Sequence, residues 1–168
     1  RIRQATSTDL QQILALDQQI FGVYGAAESP AVIQARLTVF PAGCVVLEEA
    51  APVDAAVNVA LPPLLGYLTT EKWTTLREPA LDEDPYLTHN PTGTILNITT
   101  LAIAPAQQQR GLGAQLLTYA ITFARREACT ALILETAWAA RFYERHNFVK
   151  IGERRQRGVL LHIMHYTI

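Results

Sequence analysis

Apolar and polar positions follow two rhythms along this chain, and the switches between them mark its elements. Ile2 to Gln4 reads as a short strand. Leu10, Ile13, Leu14, Ile20 and Phe21 recur at three- and four-residue spacing, which predicts a helix with one apolar stripe. Thr6, with Asp9 three residues on, makes an imperfect capping box before it. Gly22 to Glu28 is a loop. Ser29-Pro30 is a cap followed by proline at the first helical position. Val32, Ile33, Leu37 and Phe40 stripe a second helix, which Pro41-Ala42-Gly43 breaks. Cys44–Glu48 and Leu64–Trp73 predict a pair of strands. Between them Ala50 to Pro63 is apolar and lacks lysine and arginine, so it reads as an extended hairpin or an insertion. Thr74 to Gly93 holds three prolines and Asp82-Glu83-Asp84, and is expected as a long loop of functional kind.

Ile95 to Ile103, rich in Ile, Leu and Thr, predicts a strand that ends at Ala104-Pro105, because proline cannot donate to a ladder. Leu112, Leu116, Leu117, Ala120, Ile121, Phe123 and Ala124 predict a long helix. A short apolar strand, Leu132–Thr136, precedes a helical stretch from Ala139 to Asn147. Val149–Arg155 and Val159–Ile168 then read as a closing antiparallel hairpin. There is no internal repeat.

Composition narrows the class. A chain of 168 residues is expected to form one domain, residues 1–168, with a sizeable core. Hydrophobic content of 49% and charged content of 17% suit a soluble globular protein. A net charge of −1 gives nucleic acid or an anionic membrane no electrostatic foothold. No apolar run reaches bilayer length, and no leader pattern opens the chain. Because it begins on Arg1 rather than Met, what precedes it stays open. Cys44 and Cys129 lie far apart and make neither a metal motif nor a disulfide framework, so buried thiols in a reducing cytoplasm are expected. The four histidines show no metal-ligand spacing, and no metal is expected.

The chemistry concentrates at Gln108-Gln109-Arg110-Gly111-Leu112-Gly113, a glycine loop that opens the long helix. Glycines let the backbone approach a bulky anion, and the first-turn N–H groups point at it. A dinucleotide fingerprint wants Gly or Ala where Leu116 stands, and no acidic ribose-binding residue follows the next strand. A P-loop needs Gly-Lys-Ser/Thr, which is absent.

The pattern Gln/Arg-x-x-Gly-x-Gly/Ala resembles the coenzyme A loop of the GNAT superfamily of N-acetyltransferases. The later Ala139…Tyr143…Phe148 block resembles that superfamily's helix after the fifth strand, with Asn147 where glycine is usual. Asn visits the left-handed region readily, which suits the exchange. Gly66-Tyr67-Leu68-Thr69-Thr70-Glu71, His89-Asn90-Pro91-Thr92-Gly93 and the Leu96–Ile103 strand look closest to the arylalkylamine N-acetyltransferase-like branch, with Asn97 and Thr99 at its two histidine positions.

The resemblance implies an α/β (α+β) GNAT fold: a mixed, mostly antiparallel sheet of about seven strands flanked by about four helices. It implies an acetyl-CoA-dependent N-acetyltransferase, with direct attack by a primary amine in a ternary complex. The acceptor is expected to be a small-molecule amine or a peptide amine. A homodimer could form through the Ala50–Pro63 segment. Coenzyme A would lie along Leu101, Ala102 and Ile103, the loop Gln108, Gln109, Arg110, Gly111, Leu112, Gly113 and Ala114, and Thr136 and Phe142. Backbone N–H groups around Leu101–Ile103 would polarise the acetyl carbonyl. Tyr143 is the candidate acid for the departing thiolate. Glu71, Trp73, His89, Asn97 and Thr99 are the candidate acceptor-side residues, with proton removal running through water to Glu71, His89 or solvent. Trp73 and Tyr86 are expected to flank the amine, and the acidic cluster to steer it. The alternative is a non-catalytic acyl-CoA-binding or regulatory module on the same fold.

Overall fold

The computed structural model describes residues 1–50 and 61–168. Seven strands form one sheet in the order β1-β2-β3-β4-β5-β7-β6. They are β1 (Ile2–Gln4), β2 (Cys44–Glu48), β3 (Leu64–Trp73), β4 (Ile95–Ile103), β5 (Ala131–Thr136), β6 (Val149–Gln156) and β7 (Val159–Thr167). Every neighbouring pair is antiparallel except β4 with β5. The mixed, mostly antiparallel sheet is the one expected. The middle of the Ala50–Pro63 segment, residues 51–60, lies outside the described residues.

Helices α1 (Leu10–Phe21), α2 (Pro30–Val39), α3 (Pro85–Thr88), α4 (Leu112–Arg126) and α5 (Ala140–Arg145) cover the two faces. α3 corrects the reading of Thr74–Gly93 as loop throughout. It is a single turn started by Asp84, whose carboxylate accepts from the Tyr86 N–H at 3.0 Å, followed at once by Pro85. Such a turn is too short to leave a periodic stripe.

On one face α4 buries Leu116, Leu117, Ala120 and Phe123 against Leu68, Leu96, Ile98 and Leu132, and Tyr143 and Phe148 join them. On the other face α1 and α2 bury Ile13, Leu16 and Ile33 against Cys44, Val46, Leu64, Tyr67 and Ala102. Asn147 adopts φ 67°, the left-handed conformation its type tolerates.

Pairing between β4 and β5 is limited to Ile95–Ala131, Leu96–Leu132 and Asn97–Ile133. Beyond Asn97 the two strands part. β4 continues to Ile103 along β3, while β5 keeps β7 as its partner to Thr136. The sheet therefore contains a wedge, with its apex at Asn97 and its mouth at Ile103. Thr99 sits in a bulge between the Ile98 and Thr100 registers, and its hydroxyl meets that of Thr69 at 2.7 Å.

Candidate functional site

The walls of the wedge follow from strand alternation. The Ala104 N–H donates to the Leu65 carbonyl at 2.8 Å. Alternation then turns the N–H groups of Leu101 and Ile103 away from β3 and into the wedge. The Ile103 carbonyl faces the same way and accepts from Gln108 Nε2 at 3.3 Å.

The mouth is closed by the start of α4. Gly111 takes φ 76° and Gln109 φ 63°, so two left-handed residues fold the loop under the helix. The first intrahelical bond runs from the Gln115 N–H to the Gly111 carbonyl at 3.1 Å. The N–H groups of Leu112, Gly113 and Ala114 therefore have no helical acceptor, and they combine with the helix dipole into an anion-binding end. A Cβ on Gly113 would lie 3.5 Å from Phe142 Cζ and 3.9 Å from Ile103 Cγ1. So Ile103, Gly113 and Phe142 converge at one point. Arg110 is exposed and bonds Gln107 within the loop. Thr136 is occupied locally, its hydroxyl accepting the Ala139 N–H at 3.0 Å.

Tyr143 lies behind Phe142, buried, in edge contact with Phe142 and Phe148. Burial pushes its hydroxyl well above the ordinary tyrosine range, so it stays protonated at neutral pH.

The opposite face of the sheet at the apex is polar although deeply buried. Register places Glu71 beside Asn97. The Glu71 carboxylate accepts from the Thr88 hydroxyl and, at 3.4 Å, from Trp73 Nε1. Arg36, 2% exposed, reaches in from α2: Nη2 contacts Glu28 at 2.7 Å and Nε stands 4.0 Å from Glu71. Asp17 accepts from the Tyr67 hydroxyl at 2.6 Å and from the Glu28 N–H at 2.8 Å. Burial raises the Asp17 and Glu28 carboxyls above the usual range, against the pull of their donors. Among the described residues, Arg36 Nε and Nη1 and Asn97 Oδ1 are buried without a hydrogen-bond partner.

Three loops knit over this face. The Ser29 N–H donates to Asp82 at 2.7 Å, the Asp82 N–H to Glu28 at 3.0 Å, and Arg157, in the β6–β7 turn, to the Gly25 carbonyl at 2.6 Å. Arg157 also pairs with Asp82 at 3.3 Å. Tyr24 packs tilted against Trp138, ring centroids 4.0 Å apart. A cleft of about 390 Å³, lined by Trp73, Arg77, Glu83, Thr88, His89 and Asn90, opens from solvent to Thr88.

Two expectations are corrected here. Trp73 borders the cleft but offers an acceptor no free ring face: it is 2% exposed and the Arg77 guanidinium covers its ring at 3.8 Å. Nor is Asp82-Glu83-Asp84 a free acidic cluster, since Asp82 holds Ser29 and Arg157, Glu83 pairs with Arg77 and Asp84 caps α3. Glu71, one of the candidate proton acceptors, is buried. His89 Nδ1 accepts the Lys72 N–H at 3.1 Å and the ring stacks on Phe40. Burial and the Lys72 charge lower its pKa.

The Arg36–Glu28–Asp17–Tyr67 cluster went unread in the sequence. One signal was present: Thr69, Thr70, Glu71 and Lys72 follow Tyr67 as a polar run inside a strand that apolar residues bound at both ends.

Residues 80–150 match the family described as acetyltransferase (GNAT) domain. Among solved structures the chain is similar to the loading GNATL domain of CurA from Lyngbya majuscula, with TM-score 0.80 and 14% identity over 99% of this chain and 96% of that one. Ard1 from Thermoplasma volcanium gives TM-score 0.74 and 15% identity over 100% and 97%. The NatC complex bound to Gag peptide and CoA gives TM-score 0.71 and 16% identity over 100% and 98%. At these identities the likeness shows a shared fold, the GNAT fold.

Proposed function

We propose, from the acetyltransferase (GNAT) domain carried by residues 80–150 as premise, that this chain is an acetyl-CoA-dependent N-acetyltransferase acting on a primary amine. In this reading residues 1–168 form one catalytic domain. The observation that carries it is the wedge between β4 and β5, closed at its mouth by an uncapped helix start and lined by unpaired strand amides. The wedge runs six residues from Ile103 to Asn97, roughly 20 Å at ~3.3 Å per residue, so an anion at the mouth and chemistry at the apex suit a long thioester donor.

Bound acetyl-CoA supplies the activated acyl group. The chain supplies the rest. The N–H groups of Leu112–Ala114 would hold the donor's pyrophosphate, with Phe142 beside them. The N–H groups of Leu101 and Ile103 hold amide and carbonyl oxygens in place before reaction. An alkylammonium of pKa near ~10.4 must lose its proton, a step uphill by roughly 4–5 kcal/mol at pH 7. Glu71 receives that proton, directly or through water held by Asn97 and Thr99, and Thr88 with its cleft connects it to solvent. Tyr143 donates a hydrogen bond to the departing sulfur. With its hydroxyl pushed upward by burial, it steadies the thiolate more readily than it surrenders a proton. The amine attacks the thioester carbonyl directly: the C–N bond forms, the C–S bond breaks, and the second nitrogen proton passes to the departing thiolate; Cys44, the nearer buried thiol on the acceptor face, is pushed up to about 12 and is no nucleophile.

The arylalkylamine-like pattern in Gly66–Glu71, His89–Gly93 and Leu96–Ile103 sets the first acceptors to try. The test is thiol release from acetyl-CoA across arylalkylamines, polyamines, amino sugars and peptide N-termini. A melting scan with acetyl-CoA, NAD and ATP runs beside it. Stabilisation by acetyl-CoA with no turnover on any amine would replace this reading by the non-catalytic acyl-CoA-binding module. Stabilisation by NAD or ATP instead would end both.

A further inference from the structure

The buried polar face at the apex of the wedge is incomplete as protein alone. Asp17, Glu28 and Glu71 surround a single guanidinium, Arg36, so acidic side chains outnumber the base there. Arg36 and Asn97 are 2% and 3% exposed. Yet Arg36 Nε and Nη1 have donors to spare and Asn97 Oδ1 has an acceptor to spare. Buried polar groups in folded proteins are almost always paired, and each orphan costs about 1–3 kcal/mol. A fourth such atom, His162 Nδ1, lies by Glu153 on β6, but those of Arg36 and Asn97 meet at Glu71, which is the register neighbour of Asn97 and lies 4.0 Å from Arg36 Nε. An occupant that satisfies all of them must give hydrogen bonds to Asn97 and Glu71 and accept one from Arg36. The acidic excess asks that its donor be a cation and its acceptor be neutral. An ammonium next to an amide or peptide carbonyl meets every condition. A simple amine leaves Arg36 unanswered, and a free carboxylate restores part of the excess.

We propose that Arg36, Asn97 and Glu71 form a recognition site for a primary α-ammonium with an adjacent neutral carbonyl, the N-terminal residue of a peptide or an amino-acid amide. Arg36 reads the carbonyl, while Asn97 and Glu71 read the ammonium. This rests on the acetyltransferase reading only for the fate of the amine, not for its binding. The site adjoins the apex, where the amine would face the acyl group.

The test compares matched ligands that differ by one group: tyrosinamide, tyramine and tyrosine, with a dipeptide amide to separate a peptide terminus from a small amide. Binding is followed by calorimetry with coenzyme A present, and turnover by thiol release. A charge-assisted hydrogen bond to the carbonyl is worth about 10- to 100-fold in affinity, so tyrosinamide should exceed tyramine by that factor, with tyrosine below it. Arg36→Lys keeps the charge and loses the fork, and should bring the amide-to-amine ratio to within about threefold of unity. Asn97→Leu removes an acceptor that no protein group uses. It should weaken amide and amine alike by about 10-fold and leave their ratio intact. An unchanged melting shift with coenzyme A certifies the fold of each variant. If tyramine binds as well as tyrosinamide to the wild type, or if Asn97→Leu binds both normally, the site holds only water and the proposal fails. Amide binding that obeys this pattern without turnover would uphold the site and defeat the acetyltransferase reading instead.

Discussion

Gly111 and Gly113 lie two residues apart in the same loop, and the geometry predicts that alanine will act on them in opposite senses. At Gly111 φ is 76° and a Cβ would meet nothing within 4 Å. Gly111→Ala therefore carries only the left-handed penalty, roughly 1–2 kcal/mol. Gly113 is the second residue of α4, with helical backbone, and its new Cβ would touch Phe142 and Ile103 at 3.5–3.9 Å, ordinary contact. Alanine is the better helix former by about 0.8–1.0 kcal/mol, so Gly113→Ala should stabilise the free protein by nearly that much. At about 2–4 °C per kcal/mol for a chain of this size, Gly111→Ala should melt several degrees lower and Gly113→Ala a few degrees higher. Affinity for coenzyme A should move the other way at Gly113. The added methyl occupies the convergence of Phe142, Ile103 and the helix start, and holds phosphate away from the N–H groups. Loss of one charge-assisted hydrogen bond, about 1.5–3 kcal/mol, weakens binding at least 10-fold. Differential scanning calorimetry and titration calorimetry with coenzyme A measure both sides. A Gly113→Ala protein that binds coenzyme A with wild-type affinity would refute the placement of pyrophosphate at this helix start.

Other outcomes follow from the same geometry. Tyr143→Phe should lower kcat by about 10²-fold or more and leave coenzyme A affinity within threefold, measured by steady-state kinetics and calorimetry; equal turnover would make Tyr143 a packing residue only. His89 has a folded pKa below its unfolded value, so its contribution to stability is present above about 6.5 and is lost as pH falls through the folded value. Melting temperature should therefore drop from pH 7 to pH 5 more in wild type than in His89→Gln. Asp17 and Glu28 contribute with the opposite sign, and only the wild-type-minus-variant difference isolates the histidine. Burial raises both thiols, Cys44 to about 12, so neither cysteine should react with a disulfide reagent in the folded protein and both should react in denaturant. A prompt native-state thiol count would contradict that burial.

Much of the framework was legible because it is local. The limits of β2, β3 and β4 coincide with runs of apolar and β-branched residues bounded by glycine and proline. The glycine loop before α4 announced itself by residue type, and Asn147 by its tolerance of positive φ. The polar apex was illegible for the converse reason. Its members come from positions 17, 28, 36, 71, 88 and 97, and nothing in the sequence near Arg36 says that a charge at the edge of an apolar stripe will be sealed inside. Trp73 misled because an aromatic beside an acidic loop reads the same whether its face is open or, as here, already holds Arg77. Asp82-Glu83-Asp84 misled similarly. Three adjacent carboxylates look like a field, whereas the fold uses each for a separate bond.

The wedge has a consequence for how this protein stays out of trouble. An open strand edge is normally a hazard, a row of unpaired amides ready to recruit another chain. Here β4 carries such an edge from Ile98 to Ile103, yet it is sunk between β5 and the start of α4, with Phe142 at the rim. A folded neighbour cannot bring a strand into that slot, because a slender ligand arm fits where a sheet does not. Recessing the edge spares it the lysines and prolines that guard exposed edges. It also leaves the amides of Leu101 and Ile103 as a built-in gauge: they should exchange with solvent deuterium far faster than those of Ala102 and Ala104 until a slender chain of amides lies down beside them.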